Sequence, residues 1–188
     1  QAVGCALAAK LKKLDEVAYV SAGEGTCSQG DFHEALNWAA REKLPIIFLI
    51  QNNNYAISVH VSEQLAGGSV FQIAHGYENL DCYEIDGTDY VKSLEILREA
   101  HSRACSGAGP TLIEAHVPRL QSHSISDNHL KYRTAEDIEQ EKKRCPVVRM
   151  QKMLIDKGLA ETKELDELYA RIKASMDEAA EWAENQAD

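Results

Sequence analysis

The sequence predicts an α/β fold, in which a parallel sheet carries helices on both faces and a helical C-terminal tail follows. One observation is Ile46–Ile50, which is apolar at every position. Such a run is typical of a parallel strand that helices cover on both faces. The other is that short apolar runs alternate with amphipathic segments between Val17 and Asp127. That alternation indicates βαβ units and a three-layer architecture.

The individual elements follow from local patterns along this region. Short β-prone apolar runs predict strands, and apolar residues spaced by about 3.6 positions predict helices. The predicted strands are Val17–Ala22, Ile46–Ile50, Cys82–Ile85 and Thr111–His116, and the predicted helices are Asp31–Lys43 and Tyr90–Ala104.

The chain changes character at both ends. Gln1–Lys13 has the small and apolar residues of a helix interior, and we expect the chain to be an N-terminally truncated fragment. Residues 1–133 are predicted to form the α/β domain and residues 134–188 its helical extension, which begins with a loose capping box of Thr134 and Asp137. The extension carries an apolar stripe of Leu165, Leu168, Ile172, Met176 and Ala179.

The composition excludes several classes of protein. The 188 residues include 30 acidic and 20 basic side chains, and the net charge of −10 does not favour nucleic acid. No run of 18 apolar residues occurs, so no membrane span is predicted. The five cysteines are odd in number and irregularly spaced, which favours reduced thiols in a cytoplasmic protein over disulfides or a zinc site.

Polar segments follow the first two predicted strands, and ligands bind at such strand ends in open α/β sheets. Gly23-Glu24-Gly25 combines two glycines, which allow close backbone approach, with a carboxylate that suits a divalent metal bridging to phosphate. Asn52–Asn54 can supply neutral oxygen ligands. Taken alone, each segment favours the alternative of an ordinary polar turn.

Residues 118–133 lack periodicity and are predicted to form a long loop, which inside a domain is often functional. His123 lies among serines and could donate to a phosphate or shuttle a proton. Arg119 could anchor the loop by pairing with Asp127. A solvated histidine without a role is the alternative.

Taken together, these segments resemble the thiamine diphosphate-binding motif, in which Asn-Asn follows a Gly-acidic-Gly segment; here Asn53 follows Glu24 by 29 residues. More closely, the chain is similar to the alpha subunit of the decarboxylating dehydrogenase component of 2-oxo acid dehydrogenase complexes, over roughly three quarters of its length. The matching segments are Gln1–Gly4, Gly23–Gly25, Gly30-Asp31, Leu44–Phe48, Asn54–Ser58, His123–Asp127 and Tyr132-Arg133.

The resemblance implies a thiamine diphosphate-binding fold with a Mg²⁺ site. Its ligands would be the Glu24 carboxylate, the Asn53 side chain and the main-chain carbonyl of Tyr55. Glu24 replaces the commoner Asp, a substitution that also occurs in the family.

The resemblance also implies a binding surface for the cofactor's diphosphate. Gly23, Gly25 and Thr26 would lie along it. Gln51 occupies the position where branched-chain members carry an Arg, and its neutral amide could still donate a hydrogen bond, although without charge assistance.

His123 matches the family's active-site loop histidine, which contacts the cofactor and assists acyl transfer to lipoamide. Ser124 aligns with a serine that regulatory kinases phosphorylate in mitochondrial members. A phosphate there would bring negative charge beside the cofactor diphosphate. A bacterial source would favour the unmodified serine instead.

The resemblance implies that the enzyme decarboxylates a branched-chain 2-oxo acid, such as 2-oxoisovalerate, and transfers the acyl group to lipoamide. The implied partners are a beta subunit or a fused beta region and a lipoyl-bearing acyltransferase, in a homo- or hetero-oligomer. Because the family's activating Glu lies on the beta subunit, we expect the isolated chain to be inactive. The alternatives are a pyruvate or acetoin dehydrogenase alpha subunit and a non-catalytic α/β binding module.

Overall fold

The computed structural model describes residues 1–186 and confirms the α/β fold, with a fully parallel four-stranded sheet at its centre. The strands are β1 (Ala18–Gly23), β2 (Ile46–Asn52), β3 (Tyr55–Ala56), β4 (Val59–His60), β5 (Asp81–Asp86) and β6 (Thr111–His116). The sheet order is β1–β2–β6–β5, and β3 and β4 form a separate antiparallel hairpin. The four predicted strands are therefore confirmed, each to within two residues at either end.

Eight α-helices occur within residues 1–186. They are α1 (Ala2–Lys12), α2 (Gly30–Glu42), α3 (Val61–Gln64), α4 (Val70–Ala74), α5 (Tyr90–Cys105), α6 (Ala135–Lys143), α7 (Pro146–Asp156) and α8 (Thr162–Glu184). The two helices predicted between the strands correspond to α2 and α5 and differ from the prediction by at most one residue at each end.

The sheet is buried on both faces, which explains the continuous apolar run in β2. Because side chains alternate along a strand, Phe48 and Ile50 face the layer that contains α1 to α4, whereas Ile47 faces α5. Leu36 of α2 fills the first layer, and Ala100 of α5 fills the second. The predicted helices on both faces are therefore confirmed.

The segment between β2 and β5 contains elements that the sequence patterns did not predict. It holds the β3–β4 hairpin, α3 and α4, and none of these four elements exceeds five residues. Elements this short show no helical or strand period, so only the structure reveals them. They lie directly after the asparagine segment and so frame one side of the candidate site.

The C-terminal part of the chain is helical, as predicted. Thr134 and Asp137 form the expected capping box at the start of α6. The loop before it contains a single 3₁₀ turn at His129–Lys131. The chain divides into two compact units, Gln1–Pro146 and the residues from Val147 onward.

The second unit contains α8 and all but the first residue of α7. The apolar stripe predicted for the tail lies on α8, where Ile172 and Met176 are exposed. Within residues 1–186, no helix combines the length and the apolar character that crossing a bilayer requires.

Candidate functional site

The carboxyl ends of β1, β2 and β6 meet at one edge of the sheet. In the parallel register, Gly23 lies opposite Gln51, and Gln51 lies opposite Ala115. The Gly-Glu-Gly segment and the asparagine segment therefore leave the sheet side by side, as the sequence predicted.

Glu24 is the central residue of this edge. It begins a 3₁₀ helix immediately after β1, and only 1% of its surface is exposed. One carboxylate oxygen, Oε2, accepts a hydrogen bond of 3.2 Å from the main-chain N–H of Asn53. The other oxygen, Oε1, is buried and has no hydrogen-bond partner in the described part of the chain. A buried acceptor without a partner is costly, and a cation would satisfy it.

The asparagine segment forms a tight turn beside this carboxylate. Asn54 adopts a left-handed conformation with φ of 68°, which asparagine tolerates better than most residues. The side-chain oxygen of Asn52 accepts from Asn54 N–H at 2.8 Å, and that of Asn53 accepts from Tyr55 N–H at 3.2 Å. A carbonyl oxygen has two lone pairs, so the Asn53 side chain retains one for a metal.

Tyr55 is half-buried beneath the long loop. Its ring packs against the guanidinium groups of Arg119 and Arg133, at 5.5 and 5.6 Å from the ring centroid. The ring is therefore engaged by two cations, which agrees with a ligand role for the main-chain carbonyl rather than for the ring.

Gly25 lies where another chain segment approaches the backbone closely. A Cβ at this position would lie 2.8 Å from the Cβ of Ala56, a distance that real Cβ atoms essentially never show. The Gly25 carbonyl accepts a 2.6 Å hydrogen bond from Gln64 Nε2. Glycine is therefore required here for packing. Thr26 and Gln51 are exposed at the same edge, where a bound anion could reach them.

The loop that carries His123 is fixed at its base. The guanidinium of Arg119 donates to the Tyr132 hydroxyl at 2.8 Å, and that hydroxyl donates to Asp127 at 2.6 Å. Asp127 also accepts from the main-chain N–H of His123 at 2.9 Å. The predicted link between Arg119 and Asp127 is therefore indirect, because Tyr132 lies between them. These hydrogen bonds, that from Tyr132 above all, lower the pKa of Asp127.

The tip of the loop is exposed. His123 and Ser124 are both exposed, and among the described residues the His123 side chain makes no bond to Glu24 or Asn53. The structure thus brings Glu24, Asn53 and Tyr55 together but leaves His123 outside that group. Arg119 also donates to the carbonyl of Ile57 at 2.8 Å, which ties the loop base to the β3–β4 hairpin.

One buried residue of the site escaped the sequence reasoning. Glu114 is completely buried on β6 and accepts a 2.7 Å hydrogen bond from Asn52 Nδ2. Its position between the apolar residues Ile113 and Ala115 of β6 was the available signal. Cys27 is also buried, and desolvation, Glu114 and Glu24 raise the pKa of its thiol to about 12. All five cysteines are free thiols.

The donors at this edge fit Mg²⁺. They comprise one carboxylate and neutral carbonyl or amide oxygens, and no group of three or more His, Cys, Asp and Glu side chains suited to a metal occurs within residues 1–186. One carboxylate leaves a divalent cation with residual positive charge, which would attract a diphosphate. Glu24 Oε1, which has no hydrogen-bond partner within residues 1–186, is the acceptor at this edge that remains open to a ligand.

Comparisons with known proteins show what the whole chain is similar to. The family model described as the dehydrogenase E1 component matches residues 1–188. The 2-oxoisovalerate dehydrogenase subunit alpha of Bacillus subtilis is 42% identical over 182 residues, which cover 95% of this chain and 55% of the relative. The pyruvate dehydrogenase E1 component subunit alpha of Staphylococcus aureus is 40% identical over 188 residues, covering 98% and 50%. The 3-methyl-2-oxobutanoate dehydrogenase subunit alpha of Mycobacterium tuberculosis is 39% identical over 172 residues, covering 92% and 47%.

A solved structure shows the same fold. Transketolase from Campylobacter jejuni superimposes with a TM-score of 0.53 and 26% identity, covering 61% of this chain and 18% of that chain. The chain spans about half the length of the curated relatives that it matches.

Proposed function

The chain belongs to the dehydrogenase E1 component family, and on that premise we propose that it forms the thiamine diphosphate- and Mg²⁺-binding part of a branched-chain 2-oxo acid dehydrogenase alpha subunit. The observation that supports this most directly is Glu24, a buried carboxylate with one oxygen bonded to the N–H of Asn53 and the other without a partner among residues 1–186. The oxygen lies at the sheet edge where open α/β folds bind ligands.

In the proposed site, Glu24, the Asn53 side chain and the Tyr55 carbonyl hold Mg²⁺. Gly23, Gly25, Thr26 and Gln51 border the diphosphate. When bound, thiamine diphosphate would supply the nucleophilic carbon and the electron sink for decarboxylation of a 2-oxo acid. These residues bind and orient the anionic end of that group.

His123 is proposed to act at the reacting end, beside the site of acyl transfer to lipoamide. Its main-chain N–H donates a hydrogen bond of 2.9 Å to the Asp127 carboxylate, which fixes the backbone there. His123 is exposed. This leaves the ring free to donate a proton to an incoming group. A Ser124 phosphate would place negative charge one residue away from that ring.

The substrate class is proposed from two relatives. The Bacillus subtilis and Mycobacterium tuberculosis proteins are named for 2-oxoisovalerate and 3-methyl-2-oxobutanoate, which are two names for one branched-chain acid. Pyruvate is the second candidate, because the Staphylococcus aureus relative at 40% identity is named for it.

We propose a beta subunit or fused beta region and a lipoyl-bearing acyltransferase as partners, within an oligomer in the cytoplasm. The proposed donors for the metal lie in this chain, whereas the resemblance assigns the Glu that activates the cofactor to the beta subunit. The isolated chain is therefore proposed to be inactive. Turnover of a 2-oxo acid by the isolated chain would overturn that statement.

Calorimetry on the full-length protein, in the assembly in which it purifies, tests the metal site. Glu24→Gln removes the charge, and Asn53→Ala removes the amide oxygen, so each should weaken binding of thiamine diphosphate with Mg²⁺ by about tenfold to a hundredfold. Glu34→Gln changes an exposed carboxylate on α2 and is the control, with unchanged binding expected. Wild-type affinity in both site variants would refute the assignment.

Turnover assays on the same assembly test the substrate class. With an artificial electron acceptor, we expect a higher kcat/KM for 3-methyl-2-oxobutanoate than for pyruvate. The reverse order would replace the branched-chain assignment with the pyruvate one. Activity on neither acid, together with no binding of the cofactor, would favour a non-catalytic module.

A further inference from the structure

Glu114 is a completely buried carboxylate whose three hydrogen-bond donors are all uncharged. Oε1 accepts from Asn52 Nδ2 at 2.7 Å, and Oε2 accepts from Ser69 Oγ at 3.0 Å and from Phe71 N–H at 2.7 Å. Burying a carboxylate without a cation is unfavourable unless hydrogen bonds compensate. An apolar residue at the centre of β6 would avoid this cost of desolvation. We therefore looked for a role of the carboxylate in its hydrogen bonds.

The three donors lie at the two ends of one segment, residues 52–71, which connects β2 to α4. Asn52 ends β2 and opens the segment that leaves the sheet, whereas Ser69 and Phe71 stand at the start of α4, where the segment returns. Between them lie the β3–β4 hairpin and α3, whose Gln64 bonds to the Gly25 carbonyl. Glu114 thus holds both ends of the segment that frames the metal site.

The bond to Asn52 also sets the orientation of its side-chain amide. Because Nδ2 points to Glu114, Oδ1 points to Asn54 and accepts its main-chain N–H at 2.8 Å. The residue inside this turn is Asn53, whose own N–H contacts the Glu24 carboxylate.

We propose that Glu114 is a positioning residue for the metal site: through Asn52 it fixes the turn that presents the Asn53 side chain and the Tyr55 carbonyl. This inference rests on the proposed function, since it concerns the ligands of the same Mg²⁺. It adds a residue that touches neither the metal nor the cofactor.

The direction of the hydrogen bonds allows a specific test. In Glu114→Gln, the amide oxygen must remain with Ser69 and Phe71, because the N–H of Phe71 can only donate. The new NH₂ group then faces Asn52 Nδ2, donor against donor. If Asn52 rotates its amide to accept, it loses its bond to Asn54. The turn is disturbed in either case.

A second substitution restores the match of donor and acceptor between positions 52 and 114. Asn52→Asp places an acceptor on both sides, so that one oxygen accepts from the new amide and the other from the N–H of Asn54. Alone, Asn52→Asp places two buried carboxylates in contact, which is unfavourable. The double variant Asn52→Asp/Glu114→Gln should therefore bind thiamine diphosphate with Mg²⁺ more tightly than either single variant. A double-mutant cycle measures this coupling.

The experiment measures the affinity for thiamine diphosphate with Mg²⁺ by calorimetry, and the Tm without cofactor, on the full-length protein in its native assembly. Glu114→Gln should weaken binding by about tenfold to a hundredfold, and the double variant should restore most of that loss. Ser69→Ala is the matched control: it removes a different donor to the same carboxylate and should lower the Tm while leaving the affinity within about twofold.

The outcomes are distinct. If the wild type does not bind the cofactor and Mg²⁺, the proposed function fails. If the wild type binds and Glu114→Gln binds equally well, or if Ser69→Ala loses as much affinity as Glu114→Gln, the positioning role is refuted. Should Glu114→Gln fail to fold, the double variant decides: wild-type affinity supports the role, and weakened affinity in a folded double variant overturns it.

Discussion

Two regions of the first unit are stabilised by different kinds of interaction. We call the candidate site around Glu24 and Asn53, at the ends of β1 and β2, the metal edge, and residues 118–133 the histidine loop. At the metal edge, Glu24 is 1% exposed, and its carboxylate accepts a hydrogen bond from the main-chain N–H of Asn53, the residue that follows β2. In the loop, a network fixes the base, whereas Ile125 at the tip is fully exposed. The edge is therefore organised by burial, and the loop by a few polar contacts. Changes at the first should alter stability and cofactor affinity, and changes at the second should alter local order.

The largest expected contrast concerns thiol reactivity. The pKa of Cys27 is raised to about 12 from 9.0, so at pH 8 its thiolate fraction is about a thousandfold below that of an ordinary thiol. Cys5 and Cys105 are exposed. Mass spectrometry after brief iodoacetamide treatment should find both labelled before Cys27.

Unfolded protein provides the control for this contrast, because all five cysteines should then react alike. Labelling of Cys27 as fast as Cys5 in the native protein would show that the metal edge opens far more readily than its burial implies.

Gly25→Ala tests the close packing of the edge. The new Cβ would meet the Cβ of Ala56 at 2.8 Å, so the β3 strand must shift, and we expect a loss of about 1–3 kcal/mol in the free energy of unfolding. Gly4→Ala is the matched control, because Gly4 lies in α1 with nothing within 4 Å, and should gain about 0.5–1 kcal/mol. Urea denaturation measures both. Equal stabilities for the two variants would contradict the packing argument.

Tyr132→Phe tests the loop. It removes the hydroxyl that joins Arg119 to Asp127, so amide hydrogen exchange in residues 119–127 should accelerate by roughly tenfold, a factor typical of one lost hydrogen bond. Exchange in β2 should stay unchanged. Tyr169→Phe, an exposed tyrosine on α8, is the control. If β2 also exchanges faster, the edge and the loop are not independent.

The smallest expected effect is the pH response of the loop. Hydrogen bonds from Tyr132 and from the main-chain N–H of His123 lower the pKa of Asp127 below 3.8. A lowered pKa means that the carboxylate stabilises the loop at pH values above its ordinary pKa and loses this contribution only as the pH falls through the lowered value. The His123 amide signal in NMR should therefore titrate below pH 3.8.

Tyr132→Phe should move this titration upward, because the hydroxyl is the largest cause of the lowered pKa. A midpoint at or above the ordinary value in the unaltered protein would contradict the network.

The sequence patterns predicted the larger elements and the main pair of site residues. The runs that became β2 and β6 were recognisable because both faces of the sheet are apolar. Glu24 and Asn53 were expected at neighbouring strand ends, and the structure places them in hydrogen-bond contact. Their role as metal ligands stays a prediction. By contrast, the hairpin, α3 and α4 are too short to show a period.

Two further features depended on contacts between residues distant in sequence. Asn52 and Glu114 are 62 positions apart, and they meet only because β6 inserts between β2 and β5. Arg119 and Asp127 were expected to pair directly, but the Tyr132 hydroxyl occupies the space between them.

Local sequence pattern therefore determined the longer strands and helices, because strand alternation and helical spacing are properties of neighbouring residues. It also determined which polar side chains stand at strand ends. The tertiary structure alone decided which of those side chains meet, which are buried without a cation, and which remain exposed. The physical reason is that burial and hydrogen-bond partners arise from strand order and register, which join residues far apart along the chain.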